Sequence, residues 1–514
     1  MKKILLTASE CVPFIKTGGL ADVIGSLPEY FDREKFDVRV VIPKYLCIPE
    51  EYRSKMEYIT HFYTYFNGRN RYVGIMKLVR NNITYYFIDN EEYFSGPTPY
   101  TDQLYDLEKF AFFAKAVLSI LPSINFQPDI IHCNDWHTGL IPVYLRTEFA
   151  ADLFYAPIKT IMTIHNLRFQ GVWGIPDVER ITGLPHYLFT PDKLESYKDA
   201  NFLKGGIVYA DAVTTVSETY KEEVKSPFYG EQMHSLLWAR SNCFYGILNG
   251  IDYKEYDPAT DKLIDQNFDA ENFRREKKKN KAILQKETGL TEDPNIMMIG
   301  IVSRMTDQKG FDLIQRVFEE LLEDDVQFMV LGTGEWNYEE MFKYFAGKYP
   351  QKLSANIFYS NKLSHRIYAS CDAFLMPSLF EPCGLSQLMA MRYGTLPVVR
   401  ETGGLKDTVE PYNEYINTGT GFTFRDYNAH EMMDTIRRAE NLFYNNKRRW
   451  NQMVERAMKK DFSWDVSARK YEELYEDLTR TVAPEEPAKA PAEEPAAQAA
   501  DTQDTAAPEQ NTES

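Results

Sequence analysis

Thr-Gly-Gly-Leu-x-Asp occurs twice in this chain, in KTGGLADVIG from Lys16 and in ETGGLKDTVE from Glu401. Each copy falls where an apolar strand hands over to a helix. In open α/β sheets that is where ligands sit, beyond the carboxyl ends of the strands. Glycine lets the backbone approach a ligand closely, and the following helix offers free N–H groups and a positive dipole end. Gly18 and Gly19, and later Thr402, Gly403 and Gly404, therefore fit a cradle for a phosphate or a sugar hydroxyl. A tight turn with no ligand is the plain alternative. Lys16 favours a ligand at the first copy, because an ammonium beside such a turn can meet a phosphate. Arg304 and Lys309, in IVSRMTDQKG, follow another strand and would aim two more cations at the same cleft. Arginine can hold a diphosphate through two parallel hydrogen bonds, whereas lysine acts as a point charge.

Three further stretches carry chemistry. In SLFEPCGLSQLMAMRYG, Glu381 would stand past a strand and Gly384 would open a helix. A carboxylate there could accept hydrogen bonds from sugar hydroxyls, or merely cap the helix. Cys383 reads as a small packed residue, since nothing nearby marks a base. IHCNDWHTG puts Asp135 just past a strand with His132 and His137 near, at a spacing that is not usual for metal ligands. TIHNLRFQG places His165 and Asn166 at another strand end, where a satisfied structural histidine is as good a reading as a functional one.

The elements that must position these residues are apolar strands alternating with longer helical segments. In the first half the strands are KKILLTAS, VRVVIP, ITYYFID, PDIIHCN, KTIMTIHN and AVTTVS, with a helix from about Asp106 to Leu121. In the second half they are IMMIGIVSR, VQFMVLG, NIFYS, AFLMP and TLPVVR. Near-continuous apolar runs of this kind are buried parallel strands, so the fold class is α/β, with two doubly wound domains meeting across a cleft. The charged, helix-favouring stretch 262–290 lies near the boundary between them.

Composition bounds the rest. The chain has 514 residues and a net charge of -17, which argues against nucleic acid and anionic membranes as partners. No apolar stretch approaches the ~18 residues of a membrane span, and the start is no signal peptide. Six scattered cysteines without a CxxC pair point to a reducing cytoplasm, with neither a disulfide framework nor a zinc site. Residues 481–514 hold eight acidic residues against one lysine, with Ala, Pro, Gln and Thr, and are expected to be disordered.

KTGGLADV, NDWHTG, TIHNLRFQG, GILNGID, VSRMTDQKG, EPCGLSQL and ETGGLKDTV occur in this order over residues 1–480. Together they resemble the bacterial glycogen synthase and plant starch synthase family, which extends α-1,4-glucans from ADP-glucose. The resemblance implies GT-B architecture: a first domain over 1–250, a nucleotide-sugar domain over 251–461, and a last helix over 462–480 that crosses back onto the first domain. It implies that Lys16, Gly18 and Gly19 bind the donor from the first domain. Arg304 and Lys309 would hold the diphosphate, Tyr359 would stack on adenine, and Glu381 with Cys383, Gly384 and Leu385 would grip the donor glucose and phosphate. Asp135, His165 and Asn249 would line the glucose pocket. No cofactor and no metal are expected, since the cations take the metal's place. Two departures bear on the acceptor side and on local packing: Asn134 precedes Asp135 where the family often has His, and YDLEKF differs from the family's usual helix. A wider group of retaining transferases carries a second Glu where this chain has Met389, which favours the glycogen and starch branch.

No carboxylate pair at glycosidase spacing is evident, so a double displacement lacks an obvious nucleophile unless Asp135 or Glu381 serves. A dinucleotide-binding oxidoreductase would need GxGxxG, which KTGGLADVIG does not supply. A transferase using UDP-glucose or a small acceptor is the nearest alternative, and a non-catalytic glucan-binding protein should have lost a cation or Glu381.

Overall fold

The strand Lys2–Thr7 buries Ile4, Leu5 and Leu6 on both of its faces because it lies mid-sheet. In the computed structural model, which describes residues 1–101 and 103–480, it pairs in parallel with Phe36–Pro43 and with Ile130–Asn134. Lys159–Ile164, Ala212–Thr215 and Phe244–Gly246 continue the parallel sheet beyond Ile130–Asn134. Beyond Phe36–Pro43, Ile83–Asp89 pairs in parallel, and an antiparallel hairpin of Arg69–Arg80 and Glu57–Phe66 completes nine strands. That hairpin was not among the expected strands. Its outer strand alternates half-buried and exposed residues, and it leaves Tyr58, Tyr63 and Tyr65 in solvent.

The second sheet has six strands, all parallel: Leu353–Asn356, Val326–Leu331, Met297–Val302, Ala373–Met376, Leu396–Arg400 and Phe422–Phe424. The strand expected over NIFYS ends at its first residue. Asn356 pairs with Leu331, after which the neighbouring chain turns away at Gly332 and offers no further partner. Tyr359 therefore sits on a loop, 76% exposed, before the helix Asn361–Ser370. The charged stretch contains the helix Phe273–Thr288.

Two hydrophobic cores divide the chain. The first runs to Ile247 and the second begins at Ile251, but Phe380, Trp464, Ala468, Tyr471, Leu474 and Tyr475 belong to the first. The last helix, Trp464–Leu478, thus closes the domain that opens the chain. Tyr475 pins it there, its hydroxyl 2.8 Å from Nδ1 of buried His132. The chain crosses between the cores at two adjacent places: Ile251 N–H donates to Phe462 O at 2.9 Å, and Ser467 Oγ donates to Leu248 O. Met1–Thr479 is one contact unit. The segment 481–514, expected to be disordered, lies outside the described residues. Among the described residues no helix is long and apolar enough to cross a membrane.

Candidate active site

The carboxyl ends of the two parallel sheets face each other, and the motif residues lie along that seam. Lys309 closes the short turn Asp307–Lys309 after the strand Met297–Val302. Its Nζ lies 2.9 and 2.6 Å from the two oxygens of Glu381, which also accepts from Ser378 Oγ at 3.0 Å. Glu381 is buried and does not cap the helix Ser386–Arg392, which has no side-chain cap. Arg304 is exposed, and its guanidinium has no hydrogen bond or ion pair among the described residues. A lysine bound to a buried carboxylate thus lies on the same strand-to-helix loop as an exposed arginine.

The first domain reaches this part of the seam through the loops after Lys159–Ile164 and Ala212–Thr215. Asn166 Nδ2 donates to Gln308 Oε1 at 3.4 Å, and Ser217 Oγ donates to Pro382 O at 2.6 Å. Beside Asn166, His165 Nε2 meets Asn134 Oδ1 at 2.9 Å. Asn134 spends its amide hydrogens on Thr7 O and His132 O, so its oxygen must accept and His165 carries its proton on Nε2. Burial pulls His165 down to about 3, so the ring is neutral at physiological pH. Asp135, at φ 57°, accepts the His165 N–H at 2.8 Å. Burial pushes its carboxyl up to about 7, against the backbone bonds from His165 and Asn166 that favour the anion.

The two Thr-Gly-Gly turns prove alike in an unforeseen way: each binds a glutamate of the protein itself. Glu10 accepts from Thr17 N–H and, at 2.7 Å, from Thr17 Oγ1. Burial raises its pKa despite these bonds and one from Gly18. Glu223, which belongs to the first domain, accepts from Thr402 Oγ1 at 2.9 Å and from Gly403 N–H at 3.1 Å. Gly403 has φ +44°, and a Cβ there would collide with the Glu381 carbonyl, as one on Gly404 would with that of Cys383. Thr402, Gly403 and Gly404 are thus packed behind the Glu381 loop and latched to the first domain, rather than open to the seam as the sequence suggested. Gly19 does face across it, with Leu385 as the nearest neighbour of its missing Cβ at 3.5 Å. Gly384, at φ +70°, turns the chain into that helix, where Gln387 Nε2 bonds the carbonyls of Cys383 and Gly384.

Lys16 lies 2.7 Å from Asp22. Burial lowers its pKa, but Asp22 outweighs that and leaves it raised, and Tyr359 of the second domain lies within electrostatic reach. Asn249 is buried, and its Oδ1 has no partner among the described residues. The Cys383 thiol is buried and pushed up to about 12, which makes it a packed residue and a poor nucleophile. No group of three or more His, Cys, Asp or Glu among the described residues is disposed to hold a metal ion. Glu10, Glu223, Ser217 and Gln308 escaped the sequence reading. Glu10 follows the first strand directly and was open to it, whereas Glu223 lies far along the chain from the turn it binds.

Two α/β domains whose parallel strands end along one seam have the architecture of a GT-B glycosyltransferase. Residues 3–239 match the family model for the starch synthase catalytic domain, and residues 280–459 match that for glycosyl transferases group 1. The chain is 65% identical to the glycogen synthase of Lachnospira eligens, over 93% of this chain and 100% of the relative. It is 47% identical to that of Geobacillus stearothermophilus, over 93% and 98%. The catalytic domain of starch synthase IV from Arabidopsis thaliana, solved with ADP and acarbose, superposes with a TM-score of 0.86 at 32% identity, covering 93% of this chain and 99% of that one. Sucrose-phosphate synthase from Thermosynechococcus elongatus shares the fold at a TM-score of 0.59 and 16% identity, over 93% of this chain and 99% of that one. The chain belongs to the glycogen synthase and starch synthase family.

Proposed function

We propose that the protein transfers glucose from ADP-glucose to the non-reducing 4-OH end of an α-1,4-glucan, with retention of configuration and release of ADP, in the cytoplasm. The observation that carries this reading is the Lys309–Glu381 pair, on the loop that also carries Arg304, where the first domain's His165–Asn166 loop meets the second domain. The bond that breaks joins glucose C1 to a diphosphate oxygen, and negative charge grows on that oxygen as it leaves. Preorganised cations stabilise such charge without reorganising. Arg304 and Lys309 take this role, with Lys16 reaching the donor from the first domain, and no metal is then required.

The sugar pocket follows from the groups left unsatisfied. Asn249 Oδ1, buried and without a partner among the described residues, suits a sugar hydroxyl donor. His165, held neutral with Nε2–H on Asn134, presents Nδ1 as an acceptor. Both carboxylates that could attack C1 are engaged: Glu381 by Lys309 and Ser378, Asp135 by backbone amides, and burial disfavours the Asp135 anion. This supports a same-face substitution in which the leaving phosphate takes the proton of the incoming 4-OH. Exposed Tyr359 offers its ring to adenine.

Nucleoside diphosphate release with glycogen present and metal chelated, compared for ADP-glucose and UDP-glucose, tests the reading. Fast ADP release with glucose joining the glucan is the expected result. Release from UDP-glucose alone overturns the donor, and arrest by the chelator overturns metal independence.

A further inference from the structure

The second domain carries a cluster of like charge that the proposed reaction does not use. Arg274, Lys277, Lys278, Lys281 and Lys447 line one small cavity with a single carboxylate, Asp372, in a chain whose net charge is -17. The helices Phe273–Thr288 and Lys447–Lys459 form two of its walls. Asp372 immediately precedes the strand Ala373–Met376, and Gly394 of the lining lies just before Leu396–Arg400. The cavity therefore sits at the amino ends of the second sheet, on the side away from the seam, where the carboxyl ends lie.

Three of the five cations are spent. Lys277 is buried and donates to the carbonyls of Tyr368 and Ala369 at 3.1 Å, and to Tyr393 O and Thr395 Oγ1 at 2.9 Å. Lys281 Nζ lies 2.6 Å from Asp372, which also accepts the Met298 N–H at 2.8 Å, so the one carboxylate is already neutralised. Arg274 pairs with Glu455 at 3.5 Å. Lys278 and Lys447 remain. Among the described residues Lys278 donates to the neutral Asn295 Oδ1, at 3.2 Å, and pairs with no carboxylate. Lys447 has no hydrogen bond or ion pair there and rests over the Phe443 ring. Burial and the like charges of Lys281 and Lys278 outweigh Asp372 and pull its ammonium down to about 8. A second, independent observation is Ser370. It lines the same cavity at 1% exposure, and its Oγ has no partner among the described residues. Buried hydroxyls are seldom left so. The cavity holds about 50 Å³, room for a few oxygen-sized atoms. That is far short of the roughly 300 Å³ or more of a site for a larger organic ligand.

We infer that this cavity binds a free phosphate ion, held by the Lys278 and Lys447 ammonium groups and the Ser370 hydroxyl. Two point charges and a hydroxyl donor suit a small tetrahedral oxyanion. The site does not depend on the proposed activity. Its test is calorimetric melting of the full chain over a phosphate series, with sodium chloride at equal ionic strength as the reference. The proteins compared are the wild type, Lys447→Met, Ser370→Ala and Arg304→Ala. Phosphate is expected to raise the melting temperature of the wild type above the chloride reference, because a ligand of the folded state stabilises it. Lys447→Met is expected to need at least about tenfold more phosphate for the same rise, and Ser370→Ala at least about threefold more. Without phosphate, Lys447→Met is expected to melt no lower than the wild type. Methionine keeps a chain over Phe443 and removes a charge that has no counterion, so a lost response reports the ligand and not the fold. Arg304→Ala, on the seam, is expected to respond as the wild type does. A wild type that gains no more from phosphate than from chloride overturns the inference, as does an equal response in Lys447→Met. A response that Arg304→Ala abolishes puts the ion in the seam and overturns it too.

Discussion

Removing the Lys309 ammonium separates the two jobs assigned to it. Its Nζ is within 2.9 Å of both Glu381 oxygens, and the Ser378 hydroxyl is the other side-chain donor to that carboxylate. Stripping one partner from a buried ion pair costs about 3–5 kcal/mol. The lysine side chain keeps 20% of its exposure and the glutamate 7%, so water screens the lone carboxylate somewhat and about 2–3 kcal/mol is expected. Lys309→Ala should therefore lower the melting temperature by several degrees and leave the chain folded. Turnover should suffer separately. A charge-assisted contact to the departing diphosphate is worth about 1.5–3 kcal/mol, a loss of roughly ten- to a hundredfold. A cycle of Lys309→Ala, Glu381→Gln and the double variant, followed by calorimetry and by ADP release, tells the effects apart. The double variant should regain most of the lost stability, because the neutral amide in place of the carboxylate leaves no buried charge, and none of the lost turnover. Near-normal turnover in Lys309→Ala would refute the donor clamp, and a double variant no more stable than Lys309→Ala would refute the pairing argument.

Three other outcomes are expected. Lys16→Ala should lose most activity while its circular dichroism stays unchanged; near-normal turnover removes Lys16 from the donor site. Burial lifts Asp135 from 3.8 to about 7, so between those values the folded chain keeps a proton that the unfolded chain gives up, and stability falls as pH rises through that window. His132 and His165, pulled down to about 3, impose the opposite slope below their ordinary 6.5. Subtracting Asp135→Asn melting curves from wild-type ones over pH 4–8 isolates the aspartate, and a flat difference shows it to be ionised throughout. Glu223→Ala leaves Thr402 Oγ1 and Gly403 N–H without their interdomain acceptor. The domains should open, raising the radius of gyration in X-ray scattering and the KM for donor; unchanged scattering rejects the latch.

The parallel strands could be read because burial on both faces makes them unbroken apolar runs, as in Met297–Val302 and Ala373–Met376. The hairpin of Glu57–Phe66 and Arg69–Arg80 was hidden by the same logic, since one exposed edge lets polar and aromatic residues alternate along it. NIFYS has the residues of a strand, but pairing stops where the neighbour turns away, and no local composition records that. The repeated glycine turns were conspicuous, yet their similarity lies in what they bind. Glu10 is close in sequence to Thr17, but Glu223 meets Thr402 only through the fold. Asn134 looked like a mere departure until its oxygen was seen to set the proton on His165.

The helix Trp464–Leu478 has a consequence for how the protein is made. Trp464, Tyr471 and Tyr475 fill the core of the domain that leaves the ribosome first, and Tyr475 completes the hydrogen bonding of buried His132. Domains generally fold as units in order of synthesis. Here the second domain, whose core lies between Ile251 and Phe462, can close on itself while the first still lacks a wall. The nascent first domain must therefore wait, its apolar groove open to chaperones, until Trp464–Leu478 has been made and seals it.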